Sequence, residues 1–325
     1  MFNELNQLGK AKIPFFFLID YKKKQIIAEP LNTLPADILI ECNGTRYCCP
    51  TIPGSQLPIT DSRFPIKPIS YDSYLNAFNI AQEEMRKGNT YLLNLTFPSF
   101  ITDTTTKIDL TKLFWQTKAR YKLNYKNQFL TFSPEKFVTI KNDKITTCPM
   151  KGTSSVMQDP TGKNLLNSKK EKAEHLMIVD LLRNDLCQVA KKVQTTRFRY
   201  LEKVQTNKAS LWQTSSEITG ELTADWSNNI GTILGKLTPA GSITGTPKTS
   251  TIAIIKQIEP APRNFYSGIF GIFDGTTLDS AVIIRYIENK NNKFYYHSGG
   301  GITINSDPEK EYQELIDKVY LPIVN

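Results

Sequence analysis

Hydrophobic residues near the start of the chain come in short runs that are typical of strands. The runs IPFFFLIDY (13–21) and QIIAEP (25–30) flank a lysine-rich turn. Short apolar runs that are bounded by turn residues and rich in aromatic and β-branched side chains favour strands over helices. The segment FLTFSPEKFVTIKNDKITTCPMKG (129–152) also predicts antiparallel strands, with Lys141-Asn142-Asp143 as a hairpin turn.

Three other segments have the spacing of helices. Residues 71–88 carry apolar side chains at helical intervals ahead of a glycine: Tyr74, Phe78, Ala81 and Met85. A long helix is predicted from Asn164 to Val193. A last helix begins after Ser306 or Asp307 as the N-cap, with Pro308 in its first turn.

Glycine-containing turns are predicted at residues 238–248 and 268–275, and a strand that ends in SGGG (298–301) leads into the last helix. Strands dominate, and the helices are interspersed among them without strict alternation. The pattern therefore predicts an α/β protein of the α+β type, with large and mainly antiparallel sheets rather than a doubly wound parallel sheet. No repeat or low-complexity linker marks a domain boundary in the chain.

Composition and charge narrow the function classes. Hydrophobic residues make up 40% and charged residues 22% of the 325 residues, which is ordinary for a soluble globular protein. The net charge of +9 is scattered along the chain, so we expect anionic small molecules rather than nucleic acid as ligands. The apolar run at 13–19 is too short to cross a bilayer, and no membrane association is expected.

The cysteines and histidines do not form a metal-binding pattern. The chain has five cysteines without a C-x-x-C spacing and only two histidines, so a zinc site is not expected. Unpatterned free thiols fit a reducing compartment, and we expect a cytoplasmic protein.

Two pairs of glutamates share one spacing, each on a predicted helix. Glu171 and Glu174 form the first pair, and Glu311 and Glu314 form the second. Residues three apart lie on the same helical face, so each pair can direct both carboxylates at one place. Two facing pairs would suit Mg²⁺, although each pair taken alone is more typical of a solvated helix surface.

Two glycine-rich segments and two cationic side chains are the remaining candidates for binding an anionic ligand. GSITGTPK (241–248) and HSGGG (297–301) can bring backbone N–H groups close to an anion, or can be plain turns. Arg285 lies in the apolar segment AVIIRYI, where it is either paired structurally or available to an anionic ligand. Lys318 follows Glu314 by four residues, which allows an ion pair or an anion contact.

Several long motifs, in this order, resemble the chorismate-utilising enzymes. They are KEKAEHLMIVDLLRNDL, PAGSITGTPK, YSGIFGIFDGTTLDSAVIIR and HSGGGITINSDPEKEYQELIDK, and the resemblance extends from Asp72 to Lys318. It implies two large sheets packed together with helices on the outer faces. It also implies one chorismate-binding domain over residues 1–325, with a shortened N-terminal strand region at 1–70 and a catalytic core at 71–325.

The resemblance assigns roles to the candidate residues. It implies that Mg²⁺ joins the protein to the chorismate ring carboxylate through Glu174 and Glu314, with Glu171 and Glu311 beside them. Glu135, which by pattern alone is an ordinary turn glutamate, matches the general acid that protonates the departing C4 hydroxyl. The implied substrate contacts are Gly152, Thr153, Tyr266, Arg285, Gly299, Gly300, Gly301 and Lys318.

The motif Pro149-Met150-Lys151-Gly152-Thr153 discriminates between branches of the family. It is similar to the P-I-K-G-T of aminodeoxychorismate synthases component I, whereas anthranilate synthases have alanine in place of the lysine. The resemblance thus implies that Lys151 is a nucleophile that attacks C2 of chorismate. Ammonia then adds at C4 to give 4-amino-4-deoxychorismate, a precursor of para-aminobenzoate and folate.

Two positions depart from the family pattern, and the alternatives remain open. Gln213 stands where the family has a histidine, and Leu92 where the amine-forming branches have glutamine. Anthranilate synthase component I is the first alternative, and isochorismate or salicylate synthase is the weaker one, because those enzymes use a lysine near position 92. No amidotransferase motif is present in the chain, so a separate glutamine amidotransferase is expected to supply ammonia.

Overall fold

Two antiparallel sheets form the centre of the protein. The computed structural model describes residues 2–47, 65–102, 108–205 and 210–322. Within these ranges every strand pair is antiparallel, and each sheet contains nine strands. The predicted fold class is therefore confirmed.

The strands are β1 (Phe15–Ile19), β2 (Ile26–Pro30), β3 (Ile38–Cys42), β4 (Thr45–Arg46), β5 (Ile66–Lys67), β6 (Leu92–Ile101), β7 (Tyr121–Tyr125), β8 (Phe129–Ser133), β9 (Lys136–Lys141), β10 (Lys144–Thr147), β11 (Met150–Ser155), β12 (Lys191–Gln205), β13 (Ser210–Glu221), β14 (Gly245–Thr246), β15 (Ile269–Phe273), β16 (Leu278–Val282), β17 (Tyr286–Lys290) and β18 (Lys293–Ile302). The α-helices are α1 (Phe2–Lys10), α2 (Tyr71–Arg86), α3 (Leu110–Gln116), α4 (Lys163–Asn167), α5 (Lys169–Cys187), α6 (Ile230–Leu237), α7 (Lys248–Ile258) and α8 (Pro308–Asp317). Short 3₁₀ turns occur at Leu31–Thr33, Trp226–Asn229 and Gly241–Ile243.

The order of strands shows where the chain passes between the sheets. The first sheet runs β11-β13-β10-β9-β16-β15-β1-β2, with β12 also paired to β13. The second sheet runs β14-β6-β18-β17-β8-β7-β3-β4, with β5 paired to β6. The chain crosses between the sheets at 134–135, from β8 to β9, and again at 283–285, from β16 to β17. Glu135 and Arg285 therefore both lie at crossings.

The hydrophobic side chains of β1 point alternately to the two faces of the first sheet, and a separate layer of the core lies on each face. Phe15 and Phe17 pack with residues of α1, α5 and α6, whereas Phe16 and Leu18 pack with residues of the second sheet. The outer face of the second sheet is covered by α2, α7 and α8. Each fully buried large apolar side chain contributes about 1.5–3 kcal/mol, which makes this core the main source of stability.

Several predicted elements are confirmed. Helix α2 begins where the Ser70 side chain accepts a hydrogen bond from the Ser73 N–H at 3.3 Å. The predicted hairpin turn joins β9 and β10 through Asn142 and Asp143, whose φ angles are 49° and 57°. Asp307 caps α8, and its side chain accepts hydrogen bonds from two backbone N–H groups of the first turn.

Two predicted elements were wrong in detail. The long helix is two helices, α4 and α5, because Ser168 is extended and its side chain accepts a hydrogen bond from the N–H of Glu171 as the cap of α5. Residues 191–193 begin β12 instead of ending that helix. Residues 269–273, predicted as part of a turn, form β15, because this apolar run is buried on both faces between β1 and β16. The division of the chain at residue 70 stays a prediction.

Arg285 is not inside a strand, as the apolar segment AVIIRYI suggested. Its φ of 52° breaks the extended backbone where the chain leaves the first sheet for the second. None of the helices in the described ranges has both the length and the apolar character that a membrane span requires.

Candidate active site

A polar cavity of about 620 Å³ lies between β11 of the first sheet and β18 of the second, with α5 and α8 beside it. The cavity is lined by thirteen of the residues that the sequence analysis named as candidates: Glu135, Lys151, Gly152, Thr153, Glu171, Glu174, Tyr266, Arg285, Gly299, Gly301, Glu311, Glu314 and Lys318. Gly300 lies at its edge, where a Cβ would stand 3.3 Å from Glu311 Oε2. Candidates from distant parts of the chain therefore share one site.

Lys151 extends into this cavity from β11. The pairing of β11 with β13 shifts register between Lys151 and Thr153, and the intervening Gly152 has a φ of 78°. A bulge of this kind redirects neighbouring side chains. The Lys151 carbonyl accepts a hydrogen bond from Thr214, which holds the strand in place. Lys151 Nζ lies 3.9 Å from Glu174 Oε2, and a Cβ added to Gly301 would lie 3.3 Å from that nitrogen.

The second glutamate pair is tied to its own helix and to the glycine strand. Lys318 Nζ lies 2.6 Å from Glu314 Oε1 and donates a hydrogen bond of 2.7 Å to the Gly299 carbonyl. Burial opposes ionisation of Glu314, but the charge and hydrogen bond of Lys318 lower its pKa. Burial raises the pKa of Glu311, although that carboxylate accepts a hydrogen bond of 2.9 Å from Ser306.

Glu135 is placed for acid chemistry. It lies at the crossing from β8 to β9, its backbone N–H donates to the Ser133 hydroxyl at 3.1 Å, and its carboxylate accepts a hydrogen bond from Ser242. Burial raises the pKa of Glu135, while the Ser242 hydrogen bond and the charges of Lys151 and Lys318 lower it in part. A carboxyl with a raised pKa holds its proton at higher pH than an exposed one, as a general acid must.

Arg285 and Tyr266 form another part of the polar wall. Arg285 Nη1 donates to the Lys318 carbonyl at 2.8 Å, and its guanidinium lies 4.7 Å from the centroid of the Tyr320 ring. These contacts fix the arginine at the cavity without pairing it to a described carboxylate. Tyr266 is buried, which raises its pKa to about 12, so the phenol keeps its proton at neutral pH.

The glutamates fit Mg²⁺ by donor type. Two carboxylates from α5 and two from α8 line the same cavity, and hard oxygen donors are what Mg²⁺ selects. Among the described residues no three His, Cys, Asp or Glu side chains converge into a closed metal cluster. Mg²⁺ keeps several waters and is commonly held by one or two carboxylates together with substrate, so an open set of this kind suits it.

Sequence patterns missed five polar residues of the cavity: Asn94, Lys170, Ser242, His297 and Ser298. Ser242 and His297 lie inside glycine-rich segments for which the sequence predicts anion contacts by backbone N–H groups rather than by side chains. Of the two departures from the family pattern, Gln213 lines the cavity opposite Thr153. Leu92 packs in a small buried cluster with Ile178 and Leu181.

The sequence profile of the chorismate binding enzymes matches residues 58–323. The chain belongs to this family. A relative from Haemophilus influenzae, known as an uncharacterized PabA-like protein, is 48% identical over 321 residues, which are 98% of this chain and 95% of the relative. Aminodeoxychorismate synthase component 1 of Escherichia coli is 33% identical over 270 residues, 76% of this chain and 56% of that enzyme. The chain thus spans a little over half of that synthase.

Solved structures agree with the family. Anthranilate synthase component I of Streptococcus pneumoniae superposes with a TM-score of 0.68 at 27% identity, covering 82% of this chain and 61% of that enzyme. The menaquinone-specific isochorismate synthase MenF of E. coli superposes with a TM-score of 0.75 at 16% identity, covering 97% and 79%. The MenF likeness supports the fold of this chorismate binding enzyme and says nothing further of its reaction.

Proposed function

We propose that this chorismate binding enzyme is an aminodeoxychorismate synthase component I, which transfers an amino group to chorismate and yields 4-amino-4-deoxychorismate. The observation that carries the proposal is the position of Lys151. Its amine enters a cavity that also contains four glutamates, an arginine and the carboxyl of Glu135. The likeness to the E. coli synthase supports the same branch.

Lys151 is the proposed nucleophile and Glu135 the proposed acid. The lone pair of the neutral Lys151 amine forms a bond to C2 of chorismate while the C4–O bond breaks. Glu135 gives its proton to the departing hydroxyl, which leaves as water. Ammonia then adds at C4 and the C2–N bond breaks, which releases Lys151.

Mg²⁺ is the proposed cofactor, with Glu174 and Glu314 as ligands and Glu171 and Glu311 beside them. When bound, it supplies positive charge that offsets the carboxylates and polarises the substrate carboxylate. Chorismate is a dianion, and the cations of the cavity suit it: Arg285 offers planar N–H donors and Lys318 a compact charge. Tyr266, Thr153, Gly152 and the backbone of 299–301 are the proposed neutral contacts.

The proposed nitrogen source is ammonia from a separate glutamine amidotransferase subunit in the cytoplasm. The "component 1" in the name of the E. coli relative supports a two-component enzyme. The proposed place of the reaction is the route to para-aminobenzoate and folate.

Product identification tests the proposed function. The protein is incubated with chorismate, Mg²⁺ and an ammonium salt, and the products are separated by chromatography and identified by mass spectrometry. We expect 4-amino-4-deoxychorismate. Anthranilate would assign the chain to the first alternative branch, and isochorismate or salicylate to the other, so each of these products would overturn the proposal.

The decrease of kcat on the alkaline side of the pH–rate profile, its alkaline limb, should follow the deprotonation of Glu135. A general acid works only while protonated, so turnover should fall as the pH rises through the raised pKa of this carboxyl. Glu135→Gln should lower kcat by about 10²–10⁴-fold and remove the limb. The measurement is kcat as a function of pH at saturating chorismate.

Ser242→Ala is the matched control for that profile. The Ser242 hydroxyl donates to the Glu135 carboxylate and lowers its pKa, so its removal should move the alkaline limb to higher pH. A limb that stays in place in Ser242→Ala, or that persists in Glu135→Gln, would show that another group is the acid.

Gly152→Ala and Gly88→Ala form a second matched pair. Both glycines have a φ of 78°, so each alanine should cost about 1 kcal/mol or more of unfolding free energy in urea titrations. At Gly152 the new Cβ would lie 2.6 Å from Glu171 Oε2, whereas Gly88 has nothing within 4 Å. We therefore expect only Gly152→Ala to raise the Mg²⁺ concentration that gives half-maximal turnover. If the two variants need the same Mg²⁺ concentration for half-maximal turnover, Glu171 does not contribute to the metal site.

A further inference from the structure

Arg285 reaches the cavity from a fixed backbone. It lies at the crossing between the two sheets with a φ of 52°, and its carbonyl accepts a hydrogen bond of 3.1 Å from the N–H of Phe132. The preceding carbonyl, of Ile284, accepts a hydrogen bond of 2.6 Å from the Thr131 hydroxyl. The side chain beyond this point is long, and holding it in one orientation costs rotamer entropy. Further contacts are therefore needed to direct the guanidinium.

Two uncharged groups hold the guanidinium, and both belong to the segment at the end of α8. Nη1 of Arg285 donates a hydrogen bond of 2.8 Å to the Lys318 carbonyl, and the guanidinium carbon lies 4.7 Å from the centroid of the Tyr320 ring. Lys318 is the C-cap of α8, where carbonyls lack partners within the helix and favour a cation. A planar guanidinium and an aromatic face attract each other at this distance. The end of one helix thus orients the arginine of the crossing.

The segment that carries Tyr320 is itself packed into the core. The neighbours of Tyr320 on either side, Val319 and Leu321, are both buried and belong to the core cluster that includes Tyr296. The Tyr296 hydroxyl donates a hydrogen bond of 3.1 Å to the Tyr320 carbonyl. The Tyr320 ring therefore extends from an anchored backbone and can support another side chain. Tyr320 is not among the described residues that line the cavity, so any effect on a bound ligand must pass through Arg285.

The two partners of Arg285 leave its positive charge intact. A carboxylate in either place would offset that charge and would compete with the carboxylate of an anionic ligand. A carbonyl and an aromatic ring orient the guanidinium without neutralising it. Glu314 of α8 pairs with Lys318 instead, whose Nζ lies 2.6 Å from Glu314 Oε1. Arg285 is thus oriented and can still bind an anion through its other N–H groups.

We propose that Tyr320 is the positioning residue of Arg285: its ring holds the guanidinium in the orientation in which the other N–H groups meet a carboxylate of the substrate. This inference rests on the contact between Arg285 and chorismate in the proposed function. It gives the end of α8 two parts in substrate binding. Residue 318 supplies an ammonium group and the carbonyl for Arg285, and residue 320 supplies the supporting ring.

Tyr320→Leu tests the ring, because leucine keeps an apolar side chain and removes the aromatic face. We expect the Kd for chorismate to rise about tenfold, as the loss of one partly buried cation–π contact implies. We expect kcat at saturating chorismate to stay within about threefold of the native value, because Lys151 and Glu135 are untouched. Kd is measured by calorimetry with Mg²⁺ and without ammonium, and kcat as the rate of chorismate consumption with ammonium present.

Tyr320→Phe is the conservative variant and should restore binding. It keeps the ring, so we expect a Kd within about twofold of the native value. Tyr200→Leu is the matched control, because the Tyr200 ring lies 3.7 Å from the guanidinium carbon of Arg197 and neither residue lines the cavity. We expect it to bind chorismate like the native protein. Urea titrations confirm that each variant is folded, and Tyr320→Met repeats the test if the leucine variant does not fold.

A double substitution shows whether Tyr320 acts through Arg285. In an Arg285→Gln background the ring has no cation to hold, so adding Tyr320→Leu should change kcat/KM for chorismate by less than about twofold. The proposal is overturned by an unchanged Kd in Tyr320→Leu, by an equal loss in Tyr320→Phe, or by a tenfold further loss in the Arg285→Gln background. Affinity for chorismate is measured whichever product forms, so anthranilate as the product would overturn the proposed function and leave this inference standing.

Discussion

Replacing Lys151 by alanine is expected to lower the formation of 4-amino-4-deoxychorismate by at least about 10³-fold, because the variant has no amine to form the intermediate at C2. The side chain reaches the cavity from the bulged strand β11 and lies beside Glu174 and the glycine strand. Chorismate binding should change far less, because the other contacts remain. The measurements are kcat for the aminated product and Kd for chorismate by calorimetry.

Lys170→Ala is the matched control. Lys170 Nζ also lies 3.9 Å from a Glu174 oxygen, but its side chain is 71% exposed, so the variant removes a positive charge near the same carboxylate and leaves Lys151 in place. We expect its turnover to stay within a few-fold of the native rate, as exposed ion pairs contribute little. Full activity in Lys151→Ala would exclude the covalent step.

Replacing Arg263 by leucine is expected to destabilise the fold by about 3–5 kcal/mol, the usual cost of removing one partner of a buried ion pair. Arg263 is 3% exposed and forms two hydrogen bonds, of 2.9 and 2.6 Å, with Glu259. It also donates, at 2.7 Å, to the carbonyls of Ile243 and Asn94, two residues that line the cavity. Leucine would remove these hydrogen bonds to the two carbonyls and would leave the buried Glu259 carboxylate without its cation, with only the hydrogen bonds that Thr96 donates to it.

The measurement is the free energy of unfolding in urea, with Lys192→Ala as the control. Lys192 lies 2.8 Å from Glu221, yet both side chains are more than half exposed, so we expect a change within about 0.5 kcal/mol. If Arg263→Leu loses as little unfolding free energy as the control, the buried hydrogen bonds of Arg263 do not stabilise the cavity wall.

Local patterns predicted much of the fold. The apolar spacing of α2, the cap of α8 and the hairpin at Asn142 depend on neighbouring residues, and each is present in the structure. The break at Ser168 has its own local signal, Ser168 followed three residues later by Glu171, which is typical of a helix start. The helical spacing on both sides concealed it. Arg285 was misplaced because its conformation depends on the passage between two sheets, which no local pattern reports.

The site could be predicted as a set of residues but not as an arrangement. The spacing of Glu171 and Glu174 predicts that they share a helical face, and the family resemblance predicts a shared cavity for α5 and α8. Nε2 of His297, which lines the cavity, lies 2.9 Å from Glu288 Oε2. This contact depends on the register of β17 against β18, in which Tyr286 faces His297. That register is set by the strands' packing in the second sheet, and the two polar residues alone do not reveal it.

The position of the new nitrogen tests the central claim most directly. The native protein is incubated with chorismate, Mg²⁺ and ¹⁵N-labelled ammonium, and the product is examined by NMR for coupling between ¹⁵N and the ring protons. If Lys151 occupies C2 during the reaction, the label must appear on C4 of a product that retains the enolpyruvyl group. A label on C2, with loss of that group to give anthranilate, would contradict the account.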